Sequence, residues 1–323
     1  MILVVGGAGY IGSHFVRHER GRGSDVLVLD TLEKGHREAV LDAPLVVGST
    51  GDRALLDAVF SQNQIDAVVH FAAYSSVGES VTNPGAYYRN NVGGTTTLLE
   101  AMRDHGVRRI VFSSTAAAYG DPVRLPLDED HPRQPINPYG RSKVMCETVL
   151  QDFREAHGIS YVALRYFNAA GAHPDGLIGE SHSPEWHLVP IVLQVALGKR
   201  PSISVFGADY DTPDGTCIRD YIHILDLADA HSRALDHLAA GGEGGIMNLG
   251  TAHGNSVLEV LEVCRQVTGH PIPAALEGRR PGDPPALVAS SDRARKVLGW
   301  APQYESLQEI VQTAWAWEQN RRY

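Results

Sequence analysis

Cysteine is scarce in this chain, with three among 323 residues, and Cys146, Cys217 and Cys264 are odd in number and far apart. That pattern argues against both a disulfide framework and a cysteine-built zinc cluster, so the three are expected to be buried packing residues. The histidines are scattered without metal-ligand spacing, and no metal is expected. No apolar run is long enough to cross a bilayer, and no membrane partner is expected. Positive charge is in deficit: 28 Lys and Arg against 38 Asp and Glu give a formal net charge of −10. Such a balance disfavours nucleic acid as a partner and offers an anionic substrate no long-range attraction, so any anion must be held by local groups. There is no room for a signal peptide before the first apolar run, which begins at Met1, and a cytoplasmic location is expected. No internal repeat or low-complexity tract is found. With 43% hydrophobic and 20% charged residues the composition is that of an ordinary globular protein, and the length fits roughly two domains.

What is present begins at the first residues. Met1 to Val5 reads as a strand, and Gly6-Gly7-Ala8-Gly9-Tyr10-Ile11-Gly12 follows it directly. Glycines let a backbone take positive φ and approach a pyrophosphate, while the free N–H groups of the next helix hold the anion. Two registers fit: Gly7, Gly9 and Gly12, or the wider Gly6, Gly9 and Gly12, which is preferred because Gly6 abuts the strand. A second strand, Val26-Leu27-Val28-Leu29-Asp30, ends in a carboxylate about 20 residues beyond the glycines, where it can bond a ribose 2′-hydroxyl and would repel a 2′-phosphate. NAD is therefore expected in preference to NADP.

Along the chain, β-rich runs at Leu45–Val47, Asp66–Phe71, Arg109–Ser113 and Tyr161–Leu164 alternate with helical patterns at Ala54–Phe60, Asn90–Arg103 and Ser142–Ala156. This rhythm predicts an α/β fold of the Rossmann type, a doubly wound parallel sheet whose ligands bind at the strand carboxyl ends. Residues 1–171 form the expected NAD-binding domain. Beyond Gly171, Pro, Gly and His become frequent, and residues 172–323 are expected to form mainly a smaller α/β substrate-binding region, with a strand near 246–249 returning to the first sheet. Gly241 to Gly245 and Pro271 to Pro285 read as loops.

The chemistry-bearing residues fall at predicted strand ends and on one helix. Tyr139 and Lys143, four apart, share a helix face. Ionising a phenol at neutral pH costs about 4 kcal/mol, and a cation about 4 Å away at an effective dielectric near 20 returns roughly that amount, so Lys143 could make Tyr139 a workable base. Such pairs also arise on solvated helices, and it is the neighbours that give this one weight. Ser113-Ser114-Thr115 ends a strand and can set a hydroxyl beside Tyr139. His70-Phe71-Ala72-Ala73 ends another with small residues, where a backbone can pass close to a cofactor, and His70 itself reads as a core histidine.

Further blocks extend the pattern: Val77-Gly78-Glu79-Ser80-Val81, Asn90-Asn91-Val92, Leu164-Arg165-Tyr166-Phe167-Asn168, Gly171-Ala172-His173-Pro174, Arg219-Asp220-Tyr221-Ile222-His223 and Arg279-Arg280-Pro281-Gly282-Asp283. With the glycine turn and the Tyr/Lys pair, these make the chain resemble, over nearly its whole length, the extended short-chain dehydrogenases/reductases, and within them the UDP-glucose 4-epimerase family. The resemblance implies a transient oxidation at sugar C4, with Tyr139, Lys143 and Thr115 catalytic. It implies that Gly6, Gly9, Tyr10, Ile11, Gly12, Asp30, Asp52, Arg53, Phe71, Ala72, Ala73, Asn90, Tyr139, Lys143 and Phe167 line the NAD site. It places Thr115 and Tyr139 against the sugar, and Asn168, His187, Arg219, Arg280, Asp283 and Leu287 around the UDP-sugar. Thr115 stands where serine is common, Ser75 where lysine is known, His187 where asparagine is frequent, and Leu287 where residue size helps set tolerance of an N-acetyl group. The family also implies a homodimer formed by helices near Asn90–Arg103 and Ser142–Ala156. A dehydratase or decarboxylase would want an acid beside Thr115, where Ala116, Ala117 and Ala118 follow instead; a non-enzymatic NAD sensor would have little use for the Tyr/Lys pair.

Overall fold

The computed structural model describes residues 1–280 and 283–323. The Val, Ile and Leu runs bury both faces in the central strands of a parallel sheet, and the edge strand Leu45–Val47 stays partly exposed. They form β1 (Ile2–Val5), β2 (Val26–Asp30), β3 (Leu45–Val47), β4 (Ala67–His70), β5 (Arg109–Ser113) and β6 (Ser160–Tyr166). Later in the chain come β7 (Asn168–Ala170), β8 (Ile203–Phe206), β9 (Ile218–His223), β10 (Gly245–Leu249), β11 (Gly254–Ser256), β12 (Ala274–Glu277) and β13 (Ala286–Leu287).

Seven of these make one parallel sheet in the order β10-β6-β5-β4-β1-β2-β3. The order reverses between β1 and β4, and a doubly wound sheet opens its ligand crevice at the carboxyl ends of the strands there. Alternation along each strand feeds two cores. Val4 and Val28 pack towards the helices Tyr10–Gly21 and Ile224–Ala239, while Leu3, Val5 and Leu27 pack towards Arg53–Gln62, Gly94–Asp104 and Pro138–His157. The α/β Rossmann-type expectation is met.

A third cluster of buried side chains joins the helices Leu188–Ala196, Val257–Thr268 and Leu307–Gln319 to β8 and β9. There β9 pairs with β7, β11 and β13. β12 pairs in parallel with β8, although Pro271 to Pro285 reads as a loop. All four β12 residues are exposed, so the strand carries no hydrophobic alternation by which it could be recognised.

The expected helix at Asn90–Arg103 is divided. Tyr88–Gly93 is a wide π turn, followed by a regular helix at Gly94–Asp104. Asn91 accounts for the local widening: its side chain accepts from the Tyr74 N–H at 2.9 Å and donates to the Tyr74 carbonyl at 3.0 Å and to Ser142 Oγ at 2.9 Å. Such π turns often mark functional segments. Cys146, Cys217 and Cys264 are free and buried, as expected.

Candidate active site

The glycine turn separates two kinds of glycine. Gly6 has φ +81°, and a Cβ there would lie 2.5 Å from the Ala72 nitrogen; at Gly12 it would lie 2.2 Å from the Gly6 carbonyl oxygen. The fold itself requires both. Gly9 has an ordinary extended backbone, and a Cβ there would meet only the Gly6 oxygen at 3.5 Å. The protein leaves that space clear at the start of the helix Tyr10–Gly21, where exposed N–H groups suit a pyrophosphate. Asp30 closes the turn from β2, accepting from Ala8 N at 2.9 Å and Leu32 N at 2.8 Å, and its oxygens retain acceptor capacity for a ribose diol. These features fit a dinucleotide.

The pattern separates two substitutions. Gly12→Ala should cost about 1–3 kcal/mol through backbone overlap and lower the melting temperature. Gly9→Ala should leave melting of the dinucleotide-free protein nearly unchanged, compared with dinucleotide-free wild type, yet strip the purified protein of dinucleotide, readable from its absorbance and from extracted nucleotide. Equal melting losses in both variants would contradict this division.

At the other side of the crevice, Asn137 caps the helix Pro138–His157 by accepting from Gly140 N at 2.8 Å, with Pro138 in the first turn where its missing N–H costs nothing. The helix therefore begins four residues earlier than Ser142, and Tyr139 lies in its first turn. Thr115 follows β5, and its Oγ1 accepts from Ala117 N at 3.1 Å. Burial pushes the Tyr139 phenol above its ordinary pKa, and hydrogen bonding to Thr115 opposes that rise. Thr115 and Tyr139 are thus brought together.

Lys143 departs from the expectation. Its ammonium donates to the Ser113 carbonyl at 2.7 Å and lies 4.6 Å from the Phe112 ring centre. Burial brings its pKa down to about 8, with Cys146 and Glu147 opposing. The protein alone does not lower the Tyr139 pKa as the pairing argument expects, because desolvation of the phenol prevails and the ammonium is committed to the end of β5. The four-residue spacing sets both groups on one helix face without fixing which way the ammonium turns.

The support beneath these groups is ionic and buried. Arg165 of β6 grips Glu147 through two bonds of 2.8 and 2.5 Å, and Ser114 donates to the same carboxylate at 2.6 Å. Arg165 also lies 4.7 Å from the Tyr119 ring centre, and the Tyr119 hydroxyl donates to Asn248 Oδ1 at 2.6 Å. The end of β5, the catalytic helix and the edge strand β10 are so tied together. Arg165 and Glu147 carry no site role in the sequence reading, although an arginine inside the apolar run of β6 is a signal, since a charge there must have a buried partner. Tyr166 is a second such residue: its hydroxyl bonds Ser113 Oγ, and burial, with a smaller contribution from Tyr139, raises its pKa.

Other expected cofactor residues divide. Phe71, Ala72 and Ala73 follow β4 beside Gly6, half-buried. Asn90 donates to Asn91 within the π turn at 3.0 Å. Asp52 caps the helix Arg53–Gln62 by accepting from Leu55 N at 3.0 Å. Tyr10 donates to the Gly171 carbonyl at 2.6 Å, and Ile11 and Phe167 are half-buried. The Arg53 guanidinium pairs with Asp57 at 2.9 Å and Asp104 at 2.5 Å on the surface.

Among the expected substrate residues, Arg219 donates to the Pro284 carbonyl at 2.9 Å and reaches Asp283 at 3.4 Å, while Arg280 meets Asp283 at 2.9 Å. The trio has one carboxylate between two guanidiniums, leaving one positive charge for an anion in an otherwise acidic protein. Leu287 pairs with Arg219 between β13 and β9, and Asn168 donates to the Asp220 carbonyl at 3.2 Å. Pro281 and Gly282 of the same block lie outside the described residues. His187 is not directed with this group; its Nδ1 is bonded to Glu180. The expectation of scattered histidines also fails there, since Glu180, His182, Glu185 and His187 bring four possible ligand atoms within 4.8 Å of one another. Their spacing in sequence mixes loop and helix start and matches no common ligand pattern.

A Rossmann sheet with a glycine turn at its switch point and a hydroxyl, phenol and amine gathered opposite defines a nucleotide-dependent enzyme of the dehydrogenase/reductase type. The sequence matches the NAD dependent epimerase/dehydratase family over residues 2–250, and the chain belongs to that family. Within it, the chain is 57% identical over 316 residues to the UDP-glucose 4-epimerase of Halalkalibacterium halodurans, covering 98% of this chain and 95% of that protein. Its fold is similar to the crystal structure of UDP-glucose 4-epimerase from Brucella ovis in complex with NAD, with TM-score 0.95 and 48% identity over 97% of each chain. It is also similar to the enzyme from Bifidobacterium longum in complex with NAD+ and UDP, with TM-score 0.94 and 41% identity over 99% of this chain and 98% of that one.

Proposed function

We propose that this protein is an NAD-dependent epimerase that interconverts UDP-galactose and UDP-glucose by inverting C4 of the hexose. The observation that carries the reading is the meeting of Thr115 with Tyr139 at the end of β5, across the switch-point crevice from the glycine turn. Full-length identity to UDP-glucose 4-epimerases supports it. Gly9, Gly12 and Asp30 would hold the dinucleotide, which supplies a reversible hydride acceptor when bound. Tyr139 takes the proton from the sugar O4 and returns it after the sugar has turned. Thr115 steadies that oxygen through both proton transfers, which is stabilisation where charge develops. Lys143 braces the end of β5 and adds positive charge to the crevice. Arg219 and Arg280 hold the diphosphate, so the nucleotide stays anchored while the sugar rotates.

Ala116–Ala118 form a short turn after Thr115, and no acid follows the hydroxyl for the proton abstraction that a dehydration needs. Purified protein given UDP-galactose, with no added reductant, is expected to form UDP-glucose to an equilibrium mixture. Inactivity on every UDP-hexose would end this reading, and turnover of UDP-N-acetylgalactosamine and UDP-pentoses measured alongside defines the breadth that Leu287 permits.

No described helix is long and apolar enough to cross a membrane. We further infer a cytoplasmic enzyme that acts as a homodimer. Pairing through the helices near Asn90–Arg103 and Ser142–Ala156 is supported by the exposed Met145 on the second of them.

A further inference from the structure

The loop from Ile178 to His187 carries a constellation outside the roles given above to Tyr139, Thr115, Lys143 and the two arginines. Glu180 and Glu185 are buried, their side chains 6% and 2% exposed, and both turn towards the imidazoles of His182 and His187. His182 Nδ1 lies 3.2 Å from Glu180 Oε1 and 3.4 Å from Glu185 Oε2. His187 Nδ1 lies 3.8 Å from Glu185 Oε1 and also touches Glu180 Oε1. Two of these atoms, His182 Nδ1 and Glu185 Oε2, are buried without a hydrogen-bond partner. A pair of carboxylates taken out of water calls for compensating positive charge at that point.

The distances identify the kind of compensation. Tetrahedral zinc with nitrogen and oxygen ligands at about 2.0–2.1 Å holds neighbouring ligand atoms about 3.3 Å apart. The separations of His182 Nδ1 from Glu180 Oε1 and Glu185 Oε2, 3.2 and 3.4 Å, are near the edges of such a tetrahedron, and His187 Nδ1, which touches Glu180 Oε1 directly, has to draw back from it to take the fourth position. We propose that Glu180, His182, Glu185 and His187 form a four-ligand structural site for a divalent transition ion, zinc in the first instance. Two carboxylates and two neutral imidazoles with a dication make a neutral assembly, and imidazole donors disfavour magnesium and calcium.

The ligands are braced as metal ligands are. Glu185 Oε1 accepts from Trp186 N at 2.9 Å and His187 N at 3.0 Å, and the His182 ring stacks on Trp186 with centroids 4.8 Å apart. The Glu180 carbonyl accepts from Trp317 Nε1 at 2.7 Å on the last helix. His182 meets the Tyr10 ring edge-on at 6.4 Å, and Tyr10 opens the helix after the glycine turn. An ion here would pin the loop between the dinucleotide turn, the last helix and the helix Leu188–Ala196, whose N-cap is His187. Four protein ligands close the shell, so the role is structural and not catalytic.

The test uses the full chain with any affinity tag removed and its metal stripped by chelator. Zn2+ alone is then titrated calorimetrically against a competing chelator, and melting is followed with Zn2+ and with Mg2+. One equivalent of zinc per chain is expected, with a higher melting temperature in zinc and no change in magnesium. Co2+ in place of zinc should give the intense visible bands of a tetrahedral site. His182→Ala and Glu185→Gln should each weaken zinc binding by about a hundredfold or more. Should either variant fail to fold, His187→Ala, whose side chain is 44% exposed, is read in its place. A wild-type chain that takes up no equivalent of zinc, gives only octahedral cobalt bands, or binds zinc as tightly after these substitutions would overturn the proposal; protons on the two imidazoles would then be the compensating charge. None of these measurements depends on epimerase activity.

Discussion

Tyr139→Phe is expected to lower kcat on UDP-galactose by about 10²–10⁴-fold while the protein keeps its dinucleotide and its fold. The substitution removes one oxygen and nothing that the fold depends on, because Tyr139 sits in the first turn of a helix already capped by Asn137 and started by Pro138. The phenol is costly to ionise where it stands, since burial raises its pKa and hydrogen bonding to Thr115 only partly compensates. The proton-transfer role therefore needs added positive charge in the crevice, which Lys143 supplies in part. Thr115→Ala should fall between wild type and the phenylalanine variant, because it removes the hydroxyl partner but leaves the base. The measurements are steady-state turnover, dinucleotide content after purification and far-ultraviolet circular dichroism. A phenylalanine variant within tenfold of wild type would remove Tyr139 from the proton transfer.

The glycine turn, the carboxylate after β2 and the Tyr/Lys spacing were legible because each is a local pattern with a local physical reason. Gly6 and Gly12 must be glycine to let backbones touch, and Asp30 must end a strand to reach the turn. The direction of the Lys143 ammonium was not legible, because it depends on the Ser113 carbonyl at the end of a strand thirty residues earlier in the chain. Glu147 and Arg165 escaped for the same reason: each looks solvated alone, and only the sheet shows that they meet with no exposed surface. Resemblance supplied Arg219, Arg280 and Asp283, and the structure brings those three into mutual contact. It also supplied His187 as a uridine neighbour, and in the structure its Nδ1 bonds Glu180. β12 escaped because a strand held only by its backbone leaves no mark in side-chain alternation.

Acid should unfold this protein well before its surface carboxylates are neutralised. Burial is the largest cause in each of four histidines held neutral: His70 is brought down to about 3, His223 to about 3, and His14 and His231 each to about 4. Geometry agrees with the neutral form at His223, whose Nδ1 accepts from Leu225 N at 3.1 Å and would lose that cap on protonation. His231 Nε2 is buried with no partner to take a new proton. The unfolded histidines titrate near 6.5, so between about pH 6.5 and pH 4 the unfolded chain binds more protons than the folded one, and stability falls as pH falls. Their contribution is fully present above that window and is lost progressively down to the folded values. Four such groups, less the opposite contribution of His182, which against the effect of burial Glu180 and Glu185 raise to about 9, amount to a net loss on the order of 5 kcal/mol between pH 7 and pH 5, a large share of the stability of an ordinary domain. Glu129, Asp220, Asp226 and Glu318, raised mainly by burial, act in the opposite sense and trim the slope. Melting measured from pH 7.5 to 5 should drop steeply through this range, with net proton uptake on unfolding detectable calorimetrically in buffers of different ionisation enthalpy. His231→Gln, which removes one of the four titrations, should flatten the net profile by about a third even if it lowers the melting temperature at pH 7.5. A wild-type profile that is level from pH 7 to pH 5 would mean that water reaches these rings and that their neutrality is not a cost of the fold.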